Sequence, residues 1–222
     1  MNDNKVFSRQ LDLVKPDELD FPILIIGAGG IGSWTTLALA KMGCHNITVV
    51  DFDKVEDHNI PSQIYTFKYK GEFKVNALKD IVKELTSVEI IPVSQKFQDW
   101  YTPDKQFNAI ISGVDSVESR RKIWKKISTD IPLKFDVYFD GRMAGEFLRI
   151  ITISPLNAYS INSYQKNLFA DKPVDDTPCT ARSVVYNTFL CGGLMASFIK
   201  KYAKKEFVKA NINFDITNTQ IL

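Results

Sequence analysis

Apolar and polar residues follow one another along this chain in two rhythms. Residues 21–27, FPILIIG, form a continuous apolar run, the pattern of a central parallel strand covered on both faces. Residues 32–42 carry apolar positions at helical spacing, with Gly43 as a stop signal. The same reading predicts strands over 46–53 (NITVVDFD), 88–95 (VEIIPVSQ), 107–115 (FNAIISGVD) and 133–140 (LKFDVYFD). Helices are expected over 73–85 and from Ser116 to about Thr129. Strands and helices taken in turn imply parallel strands joined by crossovers. After DGRMAGE (140–146) the rhythm changes. Residues 147–154, FLRIITIS, alternate like an antiparallel strand, and a long helix is expected over roughly 180–205. The predicted class is α/β: a doubly wound, mostly parallel Rossmann-like sheet with antiparallel C-terminal strands and a long C-terminal helix. Residues 1–222 read as a single domain. An N-terminal arm (1–20) precedes a core (21–140), and 141–222 extend that same domain.

Composition narrows this picture. A chain of 222 residues, 45% hydrophobic, supports one sizeable core. The net charge of +2 is spread along the sequence, which argues against a nucleic-acid surface. Cys44, Cys179 and Cys191 lie far apart and form no CxxC pair. A disulfide framework or thiolate zinc site is therefore not expected, and a reducing cytoplasm fits best. The polar, mixed-charge first twenty residues do not read as a signal peptide. The longest uncharged run, SVVYNTFLCGGLMASFI, contains Asn187, Thr188 and Ser197. It reads as a buried helix rather than a membrane span.

The chemistry concentrates in GAGGIGSWTTLALAKMGCHNITVVDFD, residues 27–53. Gly27, Gly29 and Gly32, with Gly30 between them, form GxGxxG where a strand passes into a helix. Such a turn lets phosphate approach the unpaired N–H groups of a helix start. Asp51 stands 19 residues past Gly32, where an acid accepts from ribose hydroxyls. This signature serves NAD, FAD and ATP alike, and the glycines have an alternative reading as helix–strand packing residues.

Three further segments, DFDKVEDHNIPSQIY, GEFKVNALKD and ISGVDSVESRRKI, resemble the adenylating family that includes ThiF, MoeB, HesA and the adenylation domains of ubiquitin-activating enzymes. The resemblance runs from FSRQ to at least Arg120 and more weakly through CTARS to the long helix. It implies an ATP-dependent adenylyltransferase that activates a carboxylate and releases pyrophosphate. The implied acceptor is the C-terminal glycine of a ubiquitin-like or sulfur-carrier protein, and the implied assembly is a homodimer. Asp51 and Asp53 of DFD, Asn59 and Gln63 of HNIPSQ, Lys74 and Arg120 fall at nucleotide-side positions. Asp115 matches an aspartate tied to Mg²⁺ and catalysis. Arg9, in FSRQ, resembles an arginine that reaches the phosphates of a partner protomer. The missing CxxC pairs, and the absence of further cysteine or ubiquitin-fold domains, are the pattern of compact bacterial or phage ThiF-like chains.

Plainer readings stand beside these. Lys74 also reads as a solvated lysine on an amphipathic helix, Asp115 as a helix N-cap, and Arg9 as part of a frayed tail. The family pattern carries arginine where this chain has Ser62, which cannot offer a cationic fork to phosphate. Arg142 is the sequence's candidate replacement. A non-catalytic nucleotide-binding scaffold and, more distantly, an NAD- or FAD-dependent oxidoreductase are therefore carried as alternatives. Cys179 is expected at a helix start, where the dipole favours thiolate, with Arg182 close by. A thioester or persulfide role and a structural role both fit it. Cys191 reads as packing.

Overall fold

The computed structural model describes residues 3–102, 104–129, 133–169 and 184–221. A short helix α1 (Asp3–Val6) leads to β1 (Ile23–Ile26), α2 (Gly30–Lys41), β2 (Ile47–Val50), α3 (Lys74–Thr86), β3 (Ile91–Val93), α4 (Phe97–Trp100) and β4 (Ala109–Ser112). Then come α5 (Val117–Ile127), β5 (Val137–Ala144), β6 (Phe147–Ile153), α6 (Ala158–Leu168), α7 (Val185–Ala203), β7 (Asn211–Asp215) and β8 (Gln220–Ile221). The described strands form one sheet in the order β3-β2-β1-β4-β5-β6-β7-β8. Pairing is parallel from β3 to β5 and antiparallel from β5 to β8. This is the predicted class.

Burial explains the apolar run of β1. Ile23 and Ile25 belong to a core shared with α2, α3 and α7, while Leu24 and Ile26 face a second core with α5 and α6. Both faces of the strand are covered, so no position in it can be polar. Helix α2 ends in a Schellman motif. Gly43 (φ +96°) donates to the Ala40 carbonyl and Cys44 to Leu39, which satisfies carbonyls the helix leaves unpaired. No helix among the described residues is long and apolar enough to cross a membrane.

Several boundaries differ from the sequence reading. The strand expected over 88–95 shortens to β3, an edge strand with Pro92 at its centre and Ile91 exposed. Proline lacks an N–H and so suits an edge. The strand expected over 133–140 starts later and runs on to Ala144, because β6 pairs with it from Tyr138↔Ile153 to Ala144↔Phe147. The DGRMA segment is therefore strand, and the hairpin turns on Gly145 (φ +60°) and Glu146, with glycine first as in type II′ turns. Because β5 crosses residue 140, the sheet is continuous between the core and the extension. Helices α4 and α6 carried no clear periodic signal. Helix α7 lies within the range expected for the long helix, whose first positions fall outside the described residues.

Candidate functional site

Strand order places β2 on one side of β1 and β4 on the other. The helices after β1 and β4 therefore leave in opposite directions, opening a crevice at the carboxyl ends of the strands. A cleft of about 710 Å³ lies there.

The three motif glycines do different work. Gly27 turns the chain at φ +95°. Gly29 caps α2 and has open space where a side chain would project. A Cβ at Gly32 would sit 1.8 Å from the Gly27 carbonyl oxygen, so the packing reading holds for this third glycine. Gly27, Gly29 and Gly30 line the cleft, and Gly32 is buried behind them.

Asp51 directly follows β2 and binds the glycine loop. Its Oδ2 accepts from the Ala28 N–H at 2.6 Å and its Oδ1 from the Asp53 N–H at 2.8 Å. Burial raises its pKa above the usual 3.8, opposed by those backbone bonds and by Lys74. Lys74 is 7% exposed, which overturns its reading as a solvated lysine. Its Nζ lies 3.3 Å from Asp53 Oδ2. It also occupies the first position of α3, a helix start without a side-chain cap. A cation at the positive end of a helix dipole is locally unfavourable, and such local violations concentrate at functional sites. Asn59 is buried, and its Oδ1 accepts from the Glu56 N–H at 2.9 Å. The buried Gln63 Oε1 has no hydrogen-bond partner among the described residues.

Asp115 is exposed at the cleft beyond β4. It does not cap α5. Ser116 does, accepting from the Ser119 N–H at 3.1 Å. Arg120 lines the cleft but is 2% exposed, and it donates to Asp140 Oδ1 and to the Gly141 carbonyl, both at 2.9 Å. Asp140 is fully buried and also receives Arg142 Nε at 2.9 Å and the Tyr164 hydroxyl at 3.0 Å. Arg142 thus points at Asp140 and Tyr164 and does not line the cleft. Ser62 lies against α2 and α7, its carbonyl accepting from Trp34 Nε1 and Thr188 Oγ1.

The structure therefore gathers Gly27, Gly29, Gly30, Asp51, Asp53, Asn59, Gln63, Lys74, Asp115 and Arg120 around one cleft. Arg9 is exposed and lies elsewhere. The adjacent Gln10 donates to the Met42 carbonyl at the far end of α2, a twelve-residue helix about 18 Å long. Cys179 and Arg182 fall outside the described residues. Cys44 and Cys191 are buried, and burial pushes both thiols up to about 12, so neither is poised for chemistry. Sequence reasoning missed His58, Phe52, Gln95 and Gln98 on the cleft wall. Being single polar or aromatic residues on loops or in one-turn helices, Gln98 in α4 among them, they carry no periodic signal.

Residues 8–221 match the ThiF family, and the chain belongs to it. Over 110 residues the chain is 36% identical to the NEDD8-activating enzyme E1 catalytic subunit of Dictyostelium discoideum, covering 47% of this chain and 24% of that protein. Over 102 residues it is 30% identical to the adenylyltransferase and sulfurtransferase MOCS3 of Culex quinquefasciatus, covering 44% and 23%. The matches thus span about a quarter of these curated relatives. Among solved structures, E. coli MccB with AMPCPP and MccA superposes with a TM-score of 0.73 at 16% identity, covering 100% of this chain and 71% of that one. PaaA superposes with the same TM-score at 17% identity, covering 99% and 72%. At these identities the likeness establishes the fold.

Proposed function

We propose that this protein binds ATP in the cleft and transfers its adenylyl group to a carboxylate. The carboxylate oxygen attacks the α-phosphorus, the bond to the β-phosphate breaks, and pyrophosphate leaves. Such a reaction asks little covalent chemistry of a protein. It requires two anionic partners held together while charge grows on the phosphates. Glycine-loop N–H groups and Lys74 supply positive potential, and Asp51 an acceptor for ribose. The observation carrying the proposal is a buried Lys74, an exposed Asp115 and an open helix start on one cleft.

Mg²⁺ suits the Asp115 side of the cleft. Bound with a nucleotide it needs only one or two carboxylates, the remaining ligands being phosphate oxygens and water. Its role there would be to neutralise phosphate charge. We infer the C-terminal glycine of a ubiquitin-like or sulfur-carrier protein as the carboxylate, with a peptide C-terminus as the variant. Similarity to a NEDD8-activating enzyme and to MOCS3 supports the former, and likeness to MccB bound to MccA the latter. A reducing, ATP-containing cytoplasm suits the chemistry.

A homodimer belongs to the same proposal. Helix α7 is apolar around most of its circumference, with Tyr186 and Phe189 partly exposed, a composition suited to burial. A helix length separates Arg9 from its own cleft, so it would have to serve the phosphates of a second protomer.

ATP–pyrophosphate exchange with candidate carriers and peptides tests the proposal. Exchange should vanish in Asp115→Ala and Lys74→Met and persist in Cys179→Ala. Loss in Cys179→Ala would make the thiol part of the reaction. The engagement of Arg142 with Asp140 favours a second reading, a nucleotide-binding scaffold, which predicts ATP binding without exchange for any acceptor.

A further inference from the structure

Tyr65 closes the DFDKVEDHNIPSQIY segment, which gives it no role of its own, and it does not line the cleft. It is 2% exposed, and its hydroxyl donates to the Ala28 carbonyl at 2.6 Å. Ala28 is fully buried, and its own N–H is held by Asp51 Oδ2 at the same distance. The residue between the first two motif glycines is therefore gripped at both polar groups, one by the residue after β2 and one from the segment after Gln63.

This grip has a directional consequence. In a trans peptide the carbonyl of one residue and the N–H of the next point in opposite directions. Holding the Ala28 carbonyl on a buried hydroxyl turns it toward the interior, which turns the Gly29 N–H outward. Gly29 lines the cleft, and its N–H has no backbone or side-chain acceptor among the described residues. The next N–H groups, at the start of α2, are unpaired by helix geometry. Because Asp51 occupies the Ala28 N–H, the anion-binding row begins at Gly29.

We propose that Tyr65 is a positioning residue that fixes the Ala28–Gly29 peptide plane, presenting the Gly29 N–H to nucleotide phosphate. This rests on the ATP-binding reading above. Without the hydroxyl the Ala28 carbonyl becomes a buried acceptor with no donor, and rotation of the peptide plane relieves it while withdrawing the Gly29 donor. The burial that raises the Tyr65 pKa well above its ordinary value keeps the hydroxyl protonated and donating.

The test is Tyr65→Phe, which keeps the ring and its packing. Tyr69→Phe is the control, a buried tyrosine whose hydroxyl meets only the Lys68 amine, at 3.5 Å, among the described residues. Calorimetry or competition binding would compare ATP with adenosine, which lacks phosphates. Tyr65→Phe should weaken ATP roughly tenfold, the scale of one hydrogen bond holding a buried group. Adenosine binding should be unchanged, and Tyr69→Phe should match the wild type for both. Equal ATP affinity in Tyr65→Phe and wild type overturns the role of Tyr65 and leaves the ATP reading intact. Equal weakening of ATP and adenosine also overturns it, assigning the hydroxyl to general stability. A wild-type protein that binds no ATP overturns the functional reading, and this inference with it.

Discussion

Two alanine substitutions three residues apart should separate the fold of this protein from its ligand. At Gly32 a Cβ would lie 1.8 Å from the Gly27 carbonyl oxygen and 2.9 Å from its carbon. Those atoms are backbone at the end of a buried strand and cannot rotate away. Overpacking of this kind costs about 1–3 kcal/mol, occasionally more. For a chain of this size that lowers the melting temperature by about 2–12 °C. At Gly29 a Cβ meets nothing within 4 Å, and φ is −82°, open to any residue. A poorer N-cap and a less flexible unfolded chain roughly offset each other there, so stability should stay within about 1 kcal/mol of wild type. The methyl group would, however, stand where phosphate must approach. Hydrogen bonds to a charged group contribute about 1.5–3 kcal/mol each, so losing one weakens ATP about 10- to 100-fold. Thermal unfolding and calorimetric titration of both variants measure the contrast. Wild-type ATP affinity in Gly29→Ala would refute seating of the nucleotide on this loop. A wild-type melting temperature in Gly32→Ala would refute the close approach of α2 to β1.

Two further outcomes follow from buried charge. Asp140→Asn leaves the guanidinium groups of Arg120 and Arg142, 2% and 8% exposed, without their shared carboxylate. Breaking a buried pair costs about 3–5 kcal/mol, so thermal unfolding should fall by about 6–20 °C; a fall below about 2 °C would show the network to be energetically slight. Asp51 titrates above the usual 3.8 because it is buried. The native state therefore holds this proton more tightly than the unfolded state. Its ionised form weakens folding above the raised pKa, and that penalty is relieved as pH falls through it. ATP affinity should move the other way, falling with pH as the ribose acceptor is protonated. Subtracting the profile of Asp51→Asn cancels the titration of ATP itself, and a flat difference would remove Asp51 from the site.

Much of this protein is determined by short-range pattern. The covered strands β1, β2 and β4 announce themselves as apolar runs, because both faces of each meet a core. The glycine turn and Asp51 lie within one strand–helix–strand unit, where geometry is set by neighbours in sequence. Lys74 and Asp115 were legible only as matches to a family pattern, since a single lysine or aspartate has no period. Tertiary structure alone decided what those groups do. It buried Lys74 beside Asp53, directed Arg142 to Asp140 and away from the cleft, and brought Tyr65 under a loop 37 residues earlier in the chain. Each of these depends on which strands lie side by side. Strand order is settled by the packing of two cores at once, and local sequence does not encode it.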